Sequence, residues 1–156
     1  MQHFRDTNNK IYGFDEDQIA LGYATNMIEV SDEDIRAIRL AGKSIDQVKK
    51  EQMQAIDNAY QNFIQEDIVY MNTTFQADNY SQDMIIKSLI PGTVPVTFAW
   101  RDKFNKMVPM SFSDLQNLAS AILVRGNDGF MERVRLQEAV MTAKTKNEVL
   151  NAVWSI

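Results

Sequence analysis

Between Ser44 and Glu66 the chain contains neither glycine nor proline, so one regular element can form there without interruption. Ser44-Ile45-Asp46-Gln47 opens it with the S-x-x-Q spacing of a capping box, in which the serine and glutamine side chains satisfy each other's free backbone N–H. Ile45, Val48, Gln52, Ile56, Ala59, Tyr60 and Phe63 recur at helical spacing on one side, and Lys49, Lys50, Asp57 and Asn58 lie on the other. The spacing predicts an amphipathic helix of about six turns. Two packings suit it. The helix packs on its own domain or, because polar Gln52 sits in the seam, pairs with a partner helix as a coiled coil.

Charge divides along this helix. Residues 1–43 carry five basic and eight acidic side chains, residues 44–66 two and four, and the remainder nine of each, so the surplus of −5 lies before residue 67. Such a shift suggests two modules joined near the helix. The first reads as a β-hairpin: Phe4, a turn at Asp6-Thr7-Asn8-Asn9, then Ile11, Tyr12 and Phe14. Met27–Val30 is a third strand. Ser31 caps a short helix over Asp32–Leu40, with three carboxylates in its positive first turn, and Gly42 ends it.

Beyond the helix, Ile68–Gln76 predicts a hairpin reversing at Met71-Asn72, followed by a helix over about Ser81–Leu89 that Pro91-Gly92 stops. Val94–Trp100 alternates as a strand and returns through Arg101–Asn105 into Lys106–Met110. Phe98 and Trp100 share one face, so Trp100 is expected in the core and Arg101 outside. Ser111 and Ser113 are candidate caps for a helix with Leu115, Leu118, Ala119, Ile122 and Leu123 at core spacing. A second stripe follows in Phe130, Val134, Leu136, Val140 and Met141. Between the stripes lies Arg125-Gly126-Asn127-Asp128-Gly129, which costs about 2 kcal/mol or more in helix propensity relative to alanine. Either the helix breaks there or packing holds the weak spot, and a continuous or kinked helix is the favoured reading. Thr145–Glu148 is a further capping box that opens a last helix through Trp154.

For its 156 residues, 45% hydrophobic and 10% aromatic, the chain has the material for a core, which excludes global disorder. Its acidic balance argues against a nucleic-acid binder, whose footprint is a basic stripe. No apolar run approaches a membrane span and no signal peptide is readable, so the expectation is a soluble protein made inside a cell. The absence of cysteine removes disulfides, thiolate metal sites and cysteine nucleophiles together. His3 is the single histidine, which leaves no metal pair and no histidine–carboxylate dyad. Neither G-x-S-x-G nor G-x-x-x-x-G-K-[ST] occurs, and Gly126–Gly129 follows a helix rather than a strand. Asp15-Glu16-Asp17 and Asp32-Glu33-Asp34 lack the alternating spacing of a calcium loop. The nine methionines read as gap-fillers of a core. No catalytic residue, metal or cofactor is expected.

Two resemblances cover nearly the whole chain. Met1-Gln2-His3-Phe4-Arg5-Asp6, then Asn9-Lys10-Ile11-Tyr12-Gly13-Phe14-Asp15, a strand, Ser31-Asp32-Glu33-Asp34 and a polar helix, resemble the amino-terminal part of bacteriophage tail-fibre assembly proteins. The second half resembles a domain of unassigned function found in phage and prophage tail proteins. The residues that carry it are Phe75-Gln76-Ala77-Asp78, Ser81–Leu89, Phe98-Ala99-Trp100-Arg101-Asp102, Asn105, Pro109-Met110 and Asp114-Leu115. That family's long helix usually runs on through alanine-rich sequence, where this chain has Arg125–Gly129. The pattern is mainly a folding pattern and brings no catalytic residue with it.

The expected architecture is α+β: a β-rich unit over 1–43, a connecting helix over 44–66, and a ββαββα unit with a long carboxyl-terminal helix over 67–156. The resemblance implies a non-enzymatic phage tail protein, either a tail-fibre assembly factor or a small fibre- or baseplate-associated virion component. It would work in the host cytoplasm during assembly or stay in the virion tail. A carbohydrate-binding host-recognition module of the tail tip is the alternative. The implied partner is a tail-fibre or other tail protein, with self-association as a further possibility and no role for nucleic acid or membrane. Phe4, Tyr12 and Phe14 are the candidate contact residues. Aromatics on both faces of so short a ribbon cannot all point inward, so at least one is expected to be exposed or covered by another chain.

Overall fold

Asp6 starts the first reversal by accepting, at Oδ1, the backbone N–H groups of Asn8 (2.8 Å) and Lys10 (2.9 Å). Asn9 takes the left-handed conformation at φ +62°. Those N–H groups, that of Lys10 foremost, hold the Asp6 carboxyl below its ordinary range. The computed structural model describes the backbone of residues 1–156 and every side chain but that of Arg39. It is an α+β structure ending in a long helix and a short one, and it divides into two compact units, Met1–Val48 and Lys49–Ile156.

In the first unit β1 (Gln2–Arg5) pairs antiparallel with β2 (Ile11–Phe14) on one side and with β3 (Ile28–Glu29) on the other, a three-stranded sheet of order β2-β1-β3. Between β2 and β3 lies α1 (Glu16–Ala20), which the sequence reading lacks. Asp15 caps it in a reciprocal box with Gln18. α2 (Asp32–Leu40) starts at Ser31, boxed with Asp34, and the chain leaves it through Gly42 at φ +79°. The α3 helix (Ile45–Ile64) then begins with the Ser44–Gln47 box, and the unit boundary falls after Val48. The helix expected as a connector therefore belongs, from Lys49 onward, to the second unit.

There β4 (Ile68–Tyr70) and β5 (Thr73–Phe75) form a tight hairpin whose two turn residues, Met71 and Asn72, both have positive φ (51° and 53°), as a type I′ turn requires. α4 (Asn79–Leu89) is capped by Asp78, two residues earlier than the sequence suggests. β6 (Ala99–Arg101) and β7 (Met107–Pro109) form the second hairpin. The expected strand from Val94 shrinks to β6 because Pro95 has no N–H to donate and its carbonyl instead accepts from Phe98 in a turn (2.9 Å). At the hairpin tip Asp102 is buried and accepts at Oδ1 from the backbone of Phe104 and Lys106, both at 2.8 Å. The long helix α5 (Phe112–Thr142) and the short α6 (Lys146–Asn151) complete the chain, α6 stopping three residues before Trp154. The core of this unit is Phe75, Ile85, Met110, Leu115 and Leu118, with Tyr70, Phe98 and Trp100 packed against it.

Trp100 is half-buried rather than enclosed: it lies beside Phe98, ring centroids 6.1 Å apart, at the margin of the core. Trp100→Ala is accordingly expected to cost about 2 kcal/mol, below the ~3–5 kcal/mol of a fully buried aromatic. Urea unfolding checks it, and a loss of 3 kcal/mol or more would mean full enclosure.

Five helices, α1, α2, α3, α5 and α6, begin with carboxylates or hydroxyls in matched boxes, and three of the boxes' carboxyls are shifted together. Asp34 and Asp114 are held below their ordinary range chiefly by the hydroxyls of Ser31 and Ser111, and Glu148 chiefly by the Lys144 backbone N–H. A carboxyl depressed in the folded state stabilises the fold above the unfolded carboxylate range, about pH 4, and loses that effect as pH falls through the lower folded values. The melting temperature is expected to decline from about pH 5 downward. Asp114→Asn should flatten part of that decline in scanning calorimetry, and an unchanged profile would contradict the capping role.

Candidate functional site

The Arg125–Gly129 segment, where the sequence leaves continuity open, is helical throughout and is where α5 is gripped by α3. Gly129 is buried, and a Cβ placed there would lie 2.8 Å from Phe63 Cδ1 and 3.4 Å from Tyr60 Cδ2, so only glycine admits the close approach. Arg125 donates to the carbonyls at and just beyond the end of α3: Nη2 to Ile64 (2.9 Å) and Nη1 to Glu66 and Asp67. These are the groups a helix terminus leaves without partners. Its Nε is buried without a partner, and burial lowers the guanidinium pKa from its ordinary value.

Farther along, Asp57 Oδ1 accepts from Arg133 Nε (2.7 Å) and Gln137 Nε2 (2.9 Å). Lys49 Nζ donates to the Met141 carbonyl in the last turn of α5 (2.8 Å). The pairings 49–141, 57–133 and 64–125 run in opposite senses, so α3 and α5 are antiparallel. The polar seam residue Gln52 is satisfied within the unit, its Nε2 donating to the Ala152 carbonyl (2.7 Å), and Trp154 packs on Phe63 with ring centroids 5.6 Å apart. The partner-helix reading built on Gln52 thus loses its motive.

On one flank of this junction, α3, α4 and α5 leave a groove of about 590 Å³. Tyr60, Ile64, Ile85, Ile86, Ala119, Ile122, Leu123 and Phe130 supply its walls, Gln82 and Asn127 its amides, and Gly126 its backbone. No carboxylate, histidine, lysine or arginine lines it. Gln82 Nε2 is already engaged, donating to the carbonyls of Ile64 and Ala77. Nothing lies within 4 Å of a Cβ built at Gly126, so this second glycine has no packing partner to explain it. What such a surface does chemically is bury apolar side chains; the Tyr60 phenol is the one titratable side chain that lines it.

A different pocket, of about 460 Å³, joins the start of α4 to the second hairpin. Exposed Tyr80 and half-buried Trp100 stand there beside Gln76, Asp78 and Arg101, an aromatic and polar mixture. Asp78 is partly committed as the α4 cap, accepting from Ser81 N–H at 2.8 Å.

In the first unit the three aromatics singled out by the sequence come together on one face, against the expectation of two. Phe4 is directly opposite Tyr12, and Phe14 stands two residues along the same strand. Phe14 lies 5.9 Å from Phe4, 6.1 Å from Tyr12 and 6.2 Å from Tyr23, centroid to centroid. Phe4 is buried and Tyr12 and Phe14 are half-buried; the exposed member of the cluster is Tyr23, which the sequence reading did not single out. The missed signal was the even spacing of 12 and 14. His3, on the opposite face, lies 3.9 Å from Asp32.

Asp15 is a helix cap and Asp32–Asp34 a helix-terminal cluster, so both acidic runs have local structural roles. Among the described residues no three His, Asp or Glu side chains are grouped to hold a metal ion, and no helix is long and apolar enough to cross a membrane. Glu132, buried in α5, accepts bidentately from Arg135 (2.7 Å each) and from the Ser155 hydroxyl (3.0 Å). The Arg135 bonds foremost hold its carboxyl below the ordinary range. Each resolved pKa shift thus traces to a cap, a turn, the Arg125 contact with α3, or the Glu132–Arg135 pair.

No curated protein and no solved structure matches the chain. A family model does, over residues 47–153, from the first turn of α3 to the segment after α6, and so covers α4, both hairpins and the α3–α5 junction. By that match the chain belongs to the family described as Domain of unknown function (DUF4376).

Proposed function

We propose that this chain is a non-enzymatic bacteriophage tail protein that works by apolar contact with a tail-fibre or other tail chain, as an assembly factor or a small virion component. The observation that carries the protein-contact reading is the α3–α4–α5 groove, large, open and lined without a single charged side chain. The phage assignment is supported by the resemblance of the Met1–Asp15 segment to tail-fibre assembly proteins, and of Phe75–Leu115 to a tail-associated domain.

Co-expression of the chain with its phage's tail fibre tests this reading. Fibre trimers are expected to form in its presence and to fall sharply with Ile86→Asp, which places a charge in the groove wall at an exposed position. Equal trimer yield with the wild type, with the variant and with no chain at all would overturn the reading. Mass spectrometry of purified virions then separates the two roles: abundant peptides mean a virion component, and their absence an assembly factor.

The carbohydrate-binding alternative is favoured by one observation, the pocket of Tyr80 and Trp100 beside Gln76 and Arg101. Aromatic faces with adjacent polar groups suit the apolar and hydroxylated sides of a sugar ring. Glycan-array binding that is lost in Tyr80→Ala would move the assignment to this pocket.

A further inference from the structure

A helix packed on its own unit ordinarily hides one apolar stripe, yet α5 carries two. The inward one runs through Leu118, Gly129, Glu132, Leu136 and Val140, all buried. The outward one is Val124, Asn127, Met131, Val134, Glu138 and Met141, at the alternating three- and four-residue spacing of a coiled-coil seam. Its apolar members are exposed by 60% (Val124), 59% (Met131), 41% (Val134) and 68% (Met141), and flanking Leu123 and Phe130 by 73% and 47%. Together these six leave on the order of 600 Å² in water, as much as the largest patch on a typical monomer and near the ~800 Å² per partner of a standard interface.

We infer that this face is the contact between two copies of the chain, their α5 helices packed antiparallel about a twofold axis midway between Glu132 and Arg133. The register follows from the sequence. Setting Met131 against Val134 of the second copy sets Val124 against its Met141, so apolar residues meet only apolar ones. The same register brings the Asn127 amide, a donor, to the Glu138 carboxylate, an acceptor, so the two polar members of the seam satisfy each other. On the flank Asp128 faces Arg135, opposite in charge. Arg135 gives Nε and Nη2 to its own Glu132, which leaves Nη1 for that contact. Parallel packing would instead oppose Glu138 to Glu138, like charges in an apolar seam. A twofold contact is self-complementary by construction, and this stripe meets that condition in one register. The contact needs only this chain, and it borders the groove of the fibre reading at Leu123, Asn127 and Phe130.

The chain has no cysteine, so single replacements at exposed seam positions report the register directly. In the antiparallel dimer Val124 and its own copy lie roughly 26 Å apart along the helices. That is beyond the ~7 Å Cα separation a disulfide spans. Val124→Cys mixed with Met141→Cys and oxidised is expected to give a disulfide-linked pair at least ~10-fold faster than either variant alone. The wild type should sediment at twice the chain mass, and Met131→Glu should raise the dimer dissociation constant at least ~10-fold with unchanged circular dichroism. A single-chain mass at high concentration overturns the proposal, as does Val124→Cys linking efficiently to itself, which would mean parallel packing. Leu123, Asn127 and Phe130 also line the α3–α4–α5 groove, so the dimer tests vary Val124, Met131 and Met141, which do not line it, and the fibre test varies Ile86, which lies outside the seam.

Discussion

Gly129→Leu is expected to lower the unfolding free energy by about 3 kcal/mol, at the upper end of the usual cost of overpacking a core. The backbone there is ordinary helix, so the penalty is steric: the first added carbon already meets Phe63 Cδ1 at 2.8 Å and Cε1 at 3.1 Å. Phe63 is itself backed by Trp154, 5.6 Å away between ring centroids, and has little room to withdraw. Relief requires α3 and α5 to separate, which strains the Arg125 bonds to the end of α3 and the Asp57 pair with Arg133. Gly126 is the internal control. With nothing within 4 Å of its Cβ position, Gly126→Ala should raise stability by about 1 kcal/mol, the helix-propensity difference alone. Urea unfolding of the two variants tests the contrast, and equal losses at both glycines would mean that packing is not what places them.

Phe75→Ala should cost about 3–5 kcal/mol, the largest single-residue effect expected in the molecule. Phe75 has no exposed surface and ends β5, opposite Ile68, where it meets Ile85, Leu115 and Leu118. Those neighbours belong to two helices and a hairpin, so none can move into the space without opening another contact, and the lost transfer energy is joined by a cavity term. Since a domain of this size is stable by only about 5–15 kcal/mol, the denaturation midpoint should move to much lower urea. A loss below about 1 kcal/mol would place Phe75 outside the core.

The elements that announce themselves by local chemistry were legible in the sequence. The capping boxes at Ser44 and Thr145 and the cap at Ser31 carry their hydrogen-bond logic within four residues, Ser111 is one of two candidate caps, and the Met71-Asn72 reversal sits where two β-rich runs meet. The same logic at Asp15-x-x-Gln18 went unread, because the three adjacent carboxylates were weighed only as metal ligands and set aside. The inward face of α5 was legible only in part: Leu115, Leu118, Leu136 and Val140 are buried as their spacing predicts, but the middle of the face was missed. Its contacts are made by Arg125, Gly129 and Glu132, residue types that score as solvent-facing or helix-breaking, while Leu123, Val134 and Met141 lie outside. Hydropathy therefore identified α5 as amphipathic but assigned three members of its second stripe, Phe130, Val134 and Met141, to the wrong side. The groove was illegible for the same reason: it is formed by the fit of three helices, and its diagnostic residue, Gly126, reads from sequence as a break.

The grip on α3 and the outward seam both require one unbroken helical phase through Arg125–Gly129. If the helix broke there, Val124 would lose its registration with Met131, and Arg125 its reach to the end of α3. Native-state amide hydrogen exchange across α5 measures this directly. A single helix held at its centre gives the amides of residues 126–129 protection comparable to that of residues 118–123 and 132–138. Exchange at 126–129 as fast as at an open loop, with protected segments on either side, would contradict it.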